Sequence, residues 1–310
     1  MCKPMLTVAV LICTYNGSKY LRKQLDSVVN QSHKSWEIFV SDDGSTDDTL
    51  AILKEYQDKI GEDKFHVQAG PGRGFAWNFL NLLDSAGDGF FAYAFCDQDD
   101  IWKPIKLEQG VKWLSQQVLN QPAMHCGRTE LIDETDKAIG YSPLFTKKPS
   151  LRNALIQSIA GGNTMMLNHQ ARELVIKTPQ KAEIVSHDWW IYIVLSCFNA
   201  AICYDEKPTI DYRQHTNNIV GSNTGWFARI KRISGLMDGK FRNWIEKNIN
   251  ALHKMDITLP EENKRLLNDF IEARNAPFFR RIILFRQLSL YRQTVCGTIA
   301  FYIAVMLKKI

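Results

Sequence analysis

Three short acidic stretches hold the residue types best suited to chemistry: "SDDGSTDDT" (41–49), "CDQDD" (96–100) and "HDWW" (187–190). Asp97, Asp99 and Asp100 fall within four residues. Like charges that close repel unless a cation or hydrogen-bond donors offset them. An all-oxygen set shared with phosphate groups suits a hard divalent ion, and Mg²⁺ and Mn²⁺ fit it equally. Asp188 opens an apolar helical run, where a carboxylate serves either as a helix cap or as a general base. Trp189 and Trp190 come next. Neighbouring helical positions face different sides, so one indole is expected to pack inward, leaving the other to stack on the apolar face of an acceptor sugar.

The elements that must position these residues alternate. "LTVAVLIC" (6–13) is a continuous apolar, β-branched run, as expected of a strand covered on both faces. Leu21, Leu25, Val28 and Val29 then recur at helical spacing. "WEIFV" is a second strand, and Ser45 with Asp48 reads as a capping box opening a helix through Leu50, Leu53, Tyr56 and Ile60. "KFHVQA" is a third strand, followed by a helix from about Phe75 to Asp84, and "FFAYAFC" is a fourth. Further on, "GGNTMMLN" reads as a strand entered through glycines, "AAICYDEKPTIDYRQHTNN" as two short strands, and the chain from Trp226 onward as helical. Strand–helix alternation predicts a mostly parallel α/β sheet with helices on both faces. In such sheets ligands bind at the carboxyl ends of strands, near a switch in strand order. "TYNG", "SDDGS" and "CDQDD" all follow strands and are expected to border one crevice. Asp47 and Asp48 are expected to serve the helix that follows them.

Several chemistries are excluded. The glycine-dense "GPGRGFAWN" does not follow the first strand, so it is not a dinucleotide fingerprint, and no GxxxxGK[ST] or GxSxG occurs. The seven cysteines are scattered without a CxxC pair, which predicts reduced thiols in a cytoplasmic chain. The N-terminal segment reads as a buried strand and not as a signal peptide. A sugar-1-phosphate nucleotidylyltransferase would carry a glycine-rich basic loop after the first strand, which "CTYNGSKY" lacks.

Charge is uneven. Between Ala273 and Ile310 there are seven Lys or Arg and no Asp or Glu, so the rest of a chain with net charge +5 carries −2. The stretch from Thr294 to Leu307 is uncharged over 14 residues, short of the ~20 that span a bilayer. It fits either an interfacial helix on anionic lipid or a helix packed on the domain or on a second copy. No nucleic-acid motif accompanies the basic tail.

Taken together, "LICTYNG", "SDDGSTDDT", "FCDQDDIWKPIKL", "GGNTMMLN", "HDWW" and "YRQHTNNIVG" resemble, in order and spacing, an inverting family 2 glycosyltransferase of GT-A fold. The match covers about residues 6–222, and "DQDDIW", "HDWW" and "YRQH" are spelled as in the bacterial rhamnosyltransferase-like branch. The resemblance implies a GT-A domain over 1–222 and a helical region over 223–310. It implies that Thr14, Tyr15 and Asn16 border the nucleotide base, that Asp42 or Asp43 hydrogen-bonds it, and that Asn78 belongs to the same site. Asp97 would hold the ribose and, with Asp99, the metal that bridges the diphosphate. Asp188 would be the base, and His215 would approach the diphosphate or metal. The implied donor is dTDP-rhamnose, with a UDP-hexose left open. The implied acceptor is a glycan or lipid-linked glycan of cell-surface polysaccharide or lipopolysaccharide, met at the inner face of the membrane. A non-catalytic carbohydrate-binding protein on a degenerate transferase fold is the remaining alternative.

Overall fold

The structure is a computed structural model that describes residues 6–215 and 239–310. The end of the "YRQHTNNIVG" motif, the boundary at 222 and the helix start at Trp226 lie outside the described residues.

The first strand sets the architecture. Every residue of β1 (Val8–Thr14) is buried. Val8, Val10 and Ile12 face one hydrophobic cluster, while Ala9, Leu11 and Cys13 face a second. A strand covered on both sides has no use for a polar face, which is why its sequence does not alternate. The helices α1 (Ser18–Val29) and α2 (Thr49–Ile60) cover the first face through Leu21, Leu25, Val28, Ile52 and Leu53. So does α4 (Lys106–Leu114), whereas α3 (Phe75–Ser85) packs on the other face.

The main sheet has seven strands in the order β10 (Ala201–Asp205), β6 (Ala123–Gly127), β9 (Met166–Asn168), β4 (Ala92–Cys96), β1, β2 (Trp36–Asp42), β3 (Phe65–Ala69). All pairings are parallel except those of β9, which runs antiparallel to both β4 and β6. The chain winds from β1 outward to β3 and then returns to place β4 on the other side of β1. This is the switch point, and Ile12 lies beside Cys96 there. A second sheet of four short strands has the order β5 (Ile101–Trp102), β11 (Ile210–Arg213), β7 (Glu130–Ile132), β8 (Ala138–Tyr141). The two strands expected from "AAICYDEKPTIDYRQHTNN" therefore form, but in different sheets.

The second face of the main sheet also carries α5 (Leu151–Ala154), α6 (His169–Val175) and α7 (His187–Cys197). It continues without a break into α8 (Lys240–His253), α9 (Glu261–Asn275), α10 (Phe278–Leu288) and α11 (Val295–Met306). Phe241, Ile249, Phe270, Phe285 and Phe301 belong to the same hydrophobic cluster as α7. The link between α10 and α11 is sewn to the segment around α5. Gln293 Nε2 donates to the Lys147 carbonyl (3.0 Å), its backbone N–H donates to Gln157 Oε1 (2.8 Å), and Arg292 Nη1 donates to the Ile156 carbonyl (3.1 Å).

The capping box expected at Ser45 and Asp48 does not form, because the Ser45 hydroxyl donates instead to Asp42 at 2.6 Å. Asp47 takes the task and serves two helices. It accepts the N–H of Ser18 at the start of α1 and of Thr49 at the start of α2, both at 3.0 Å. Burial alone would raise its carboxyl, but these bonds and the Thr49 hydroxyl hold it down at about 2. Asp47→Ala is expected to cost about 1 kcal/mol in urea unfolding near neutral pH. The folded-state pKa is depressed, so this stabilisation is full above the ordinary carboxylate range near 3.8 and is lost as pH falls through about 2. The gap between variant and parent should close over that window.

Candidate active site

Four loops meet at the carboxyl ends of β1, β2, β3 and β4. The loop after β1 is held from both sides. Thr14 is buried, and its hydroxyl donates to Asp42 at 2.7 Å. Tyr15 projects into solvent, while its backbone makes a reciprocal pair with the Gln98 amide at 2.9 and 3.1 Å. Gln98 therefore locks the β1 and β4 loops together across the switch point. Asn16, in a left-handed conformation (φ 48°), donates its N–H to Ser45 and accepts the N–H of Thr46, both at 2.8 Å. Its amide oxygen is thereby spent on the neighbouring loop.

Asp42 and Asp43 divide sharply. Asp42 is buried, and its two oxygens accept from Thr14 Oγ1, Ser45 Oγ, Ser45 N–H and Gly44 N–H. A carboxylate has about four acceptor positions, and all are filled. Asp42 is thus a scaffold for its loop and is corrected as a contact for a base. Asp43 is partly exposed and accepts only the N–H groups of Gly72 (2.7 Å) and Gly74 (3.2 Å), which leaves acceptor capacity toward the crevice. Those two glycines have φ of 63° and 81°, which accounts for the glycine density of "GPGRG". Arg73 between them lies over the Trp77 ring and donates to the Gln180 carbonyl at 2.9 Å. Asn78 is buried beneath the loop, where its amide nitrogen donates to the Ser41 carbonyl at 3.1 Å and its amide oxygen has no partner among the described residues.

The aspartates after β4 also separate. Asp97 and Asp99 are partly exposed, whereas Asp100 points into the interior and is fully buried. Burial, then the charges of Asp99 and Asp188, push the Asp97 carboxyl up to about 8. Asp99 and Asp188 thus stand close enough for Asp97 to feel both. Asp100 is met by donors, Asn163 Nδ2 at 2.5 Å and the Arg213 N–H at 3.1 Å, yet burial and the charges of Asp99 and Asp97 still hold its carboxyl well above the usual carboxylate range. Arg213 is itself buried, donates Nε to the Asp99 carbonyl (2.9 Å), pairs with Asp136 and lies over the Tyr20 ring. Lys106, buried beneath the same loop, has its ammonium form disfavoured by burial, with a pKa near 8, although Cys96 and Asp100 pull the other way.

His215 stands with Nε2 2.7 Å from Asp99 Oδ2, its ring 5.3 Å from that of Tyr20. In this geometry His215 is paired with Asp99, one of the carboxylates expected at the metal. Among the described residues no three His, Cys, Asp or Glu side chains form a ready metal cage. The donor set still fits a hard cation. Asp97 and Asp99 offer oxygens into the crevice, and positive charge there would offset the repulsion that lifts Asp97.

Asp188 lies in the first turn of α7, and it is the one residue of that helix not buried. The N-cap position belongs to Ser186, so Asp188 is not the cap. The nearest side-chain donor is Ser158 Oγ, at 3.5 Å from Oδ2. His187 beside it is buried among Phe75, Phe79 and Phe95, with both ring nitrogens unpaired, and burial lowers its pKa to about 4. Gly162 presses on that ring so closely that a Cβ would stand 2.0 Å from Nε2. Asp100, Asn163, Gly162 and His187 therefore form one continuous strut from the β4 aspartates to Asp188. The expected indole shelf is corrected. Both Trp189 and Trp190 are buried, donating to the Ala154 carbonyl and to Thr178 Oγ1 at 2.7 Å each, so neither presents a face to a sugar. The residues missed by the sequence reading, Gln98, Lys106, Asn163, His187 and Arg213, all lie inside or beside its motifs. Asn163 directly after two glycines was the most visible signal.

Comparison with known proteins agrees with this geometry. The family model for glycosyl transferase family 2 matches residues 9–171. The chain is 29% identical over 264 residues to a dTDP-rhamnosyl transferase, RfbG, of Shigella flexneri, covering 78% of this chain and 84% of that protein. It is 36% identical over 266 residues to a putative teichuronic acid biosynthesis glycosyltransferase, TuaG, of Bacillus subtilis, covering 83% and 92%. It spans less than half the length of several further relatives. Among solved structures, S. aureus TarS residues 1–349 superposes with a TM-score of 0.56 at 17% identity, covering 91% of this chain and 80% of that one. GalNAc-T7 with UDP, GalNAc and Mn²⁺ gives 0.53 at 13% identity, covering 69% and 45%. With motifs, sheet order and relatives in agreement, the chain belongs to glycosyl transferase family 2 and has the GT-A fold.

Proposed function

We propose that this transferase moves rhamnose from dTDP-rhamnose, with inversion, to a glycan or lipid-linked glycan acceptor of a cell-surface polysaccharide. One observation carries the reading: Asp97, at the β1/β4 switch point, feels the charges of both Asp99 and Asp188. The likeness to the Shigella flexneri rhamnosyl transferase supports the donor.

Asp43 accepts a ring N–H of the pyrimidine, and the exposed Tyr15 ring borders it. Asp97 and Asp99 hold the ribose and the diphosphate end. Bound there, Mg²⁺ or Mn²⁺ supplies Lewis-acid stabilisation of the charge on the departing diphosphate. Asp99 is kept in place by His215 and, through its backbone, by Arg213. Asp188 accepts the proton of the acceptor hydroxyl as that oxygen bonds to the sugar's anomeric carbon. The bond from that carbon to the phosphate oxygen breaks on the opposite face, and the nucleoside diphosphate leaves with the electron pair. No covalent enzyme intermediate is needed. Residues 1–222 carry this chemistry, and the C-terminal helices from α8 onward bring the chain to the inner face of the membrane.

A donor screen tests the reading. Protein is incubated with dTDP-rhamnose, UDP-glucose, UDP-galactose and UDP-N-acetylglucosamine, with and without Mg²⁺ or Mn²⁺, while released nucleoside diphosphate is followed. Metal-dependent release from dTDP-rhamnose is expected. Release from a UDP-sugar alone reassigns the donor, and calorimetry showing no binding of dTDP or UDP overturns the function.

A further inference from the structure

Eight of the exposed large apolar side chains lie on the last two helices: Phe278, Phe279 and Ile283 on α10, and Val295, Ile299, Ile303, Met306 and Leu307 on or just past α11. On α11 they recur every three or four residues, along one outer stripe. The inner stripe, Phe301, Ala304 and Val305, is buried, and Phe301 lies against Phe285 of α10. The pair is thus already packed on its inner side and apolar again on its outer side, which is the reverse of an ordinary surface helix. Phe279 is 80% exposed and Val295 68%, values that monomeric proteins rarely concentrate in one patch.

Basic residues predominate around this surface, although Arg280 pairs with Glu272 at the end of α9. Arg280, Arg286 and Lys308 are exposed, and Lys309 is partly so, in a segment without Asp or Glu. A second copy placed on the same surface would bring the same cations against them. An anionic sheet of matching extent would not. Among the described residues no helix is long and apolar enough to cross a membrane, so the helices can lie on a bilayer but not through it.

We infer that the outer faces of α10 and α11 form one docking platform for an anionic lipid bilayer, with the apolar side chains entering the headgroup boundary and the Arg and Lys residues on the lipid phosphates. This deepens the membrane reading above but does not depend on which donor is used. The platform is joined firmly to the side of the crevice that holds Asp188. Arg292 and Gln293 bind the segment 147–157, and Ser158 just beyond it is the side-chain donor facing Asp188. Docking would therefore fix the position of the wall beside the proposed base relative to the lipid surface.

The test uses the full chain, because deleting the tail would also unfasten α5. Protein is floated with phosphatidylcholine vesicles and with vesicles containing roughly a third phosphatidylglycerol. Wild type is expected to float with the anionic vesicles and to stay behind with the neutral ones. Ile299→Glu/Ile303→Glu and Lys308→Glu/Lys309→Glu should each lower partitioning by about tenfold or more, with unchanged melting temperature. Failure of wild type to float with either vesicle, or variants that float as well as wild type, overturns the inference. A solution dimer that Ile299→Glu/Ile303→Glu splits, without vesicle binding, assigns the surface to a second copy instead. Because flotation needs no turnover, its outcome is independent of the donor screen.

Discussion

Asp188→Asn is expected to lower kcat by about 10²- to 10⁴-fold, the range of a positioned general base, while nucleoside diphosphate binding holds. The substitution is isosteric and removes only the ability to take the acceptor proton. Its side chain is the one unburied position of α7, so the fold has little stake in its charge. The charge of Asp188 also helps to raise Asp97, so the variant should bind the metal–nucleotide pair as well as wild type or slightly better. Titration calorimetry with dTDP or UDP and Mn²⁺, beside steady-state kinetics, separates the two quantities. Equal losses in kcat and in nucleotide affinity would make Asp188 a donor contact. A carbohydrate-binding protein would not register the change at all.

The second large effect is on stability. Asp100→Ala removes the carboxylate that accepts from the Asn163 amide and the Arg213 N–H in the interior. Each lost buried hydrogen bond costs about 1–3 kcal/mol, for a combined loss of about 2–6 kcal/mol in urea unfolding. That is a large part of the 5–15 kcal/mol typical of a domain. Asp100→Asn is also expected to destabilise, because its amide would face that of Asn163, donor to donor. Combining it with Asn163→Asp reverses the polarity of the bond and should recover most of the loss. If the double exchange is no better than the single variants, the strut from the β4 aspartates to His187 does not run through this bond.

What the sequence disclosed followed from how far each signal reaches. Strands β1 to β4 are runs of apolar residues between turns, and their order of appearance carries the parallel topology. Strand β9 is legible within "GGNTMMLN", but it is three residues long, and its place between β4 and β6 and its antiparallel direction are set by partners at both edges. The second sheet is hidden for the same reason, since β5 has two residues and β7 three. Residue type revealed which carboxylates to consider but not which way they face. Asp42 and Asp43 are adjacent and identical, yet one is saturated by its own loop and the other is not. Asp97 and Asp99 stay partly exposed in the turn after β4, while Asp100 is met in the interior by Arg213 of β11, over a hundred positions away. The tryptophan pair failed because α7 is enclosed on every side except at Asp188, so even the outward indole meets Ala154 or Thr178.

The stitching of Gln293 and Arg292 to the segment 147–157 also bears on the order in which the protein is made. Synthesis runs from the N-terminus, and the first hundred residues contain β1 to β4 with the loops of the proposed nucleotide site. The brace behind Ser158 waits for Arg292 and Gln293, far later in the chain. The loops after β1 to β4 can be assembled while translation is under way, but the wall beside Asp188 is secured only once that brace has been made. A growing chain on the ribosome thus holds its first loops well before it has a finished wall beside Asp188.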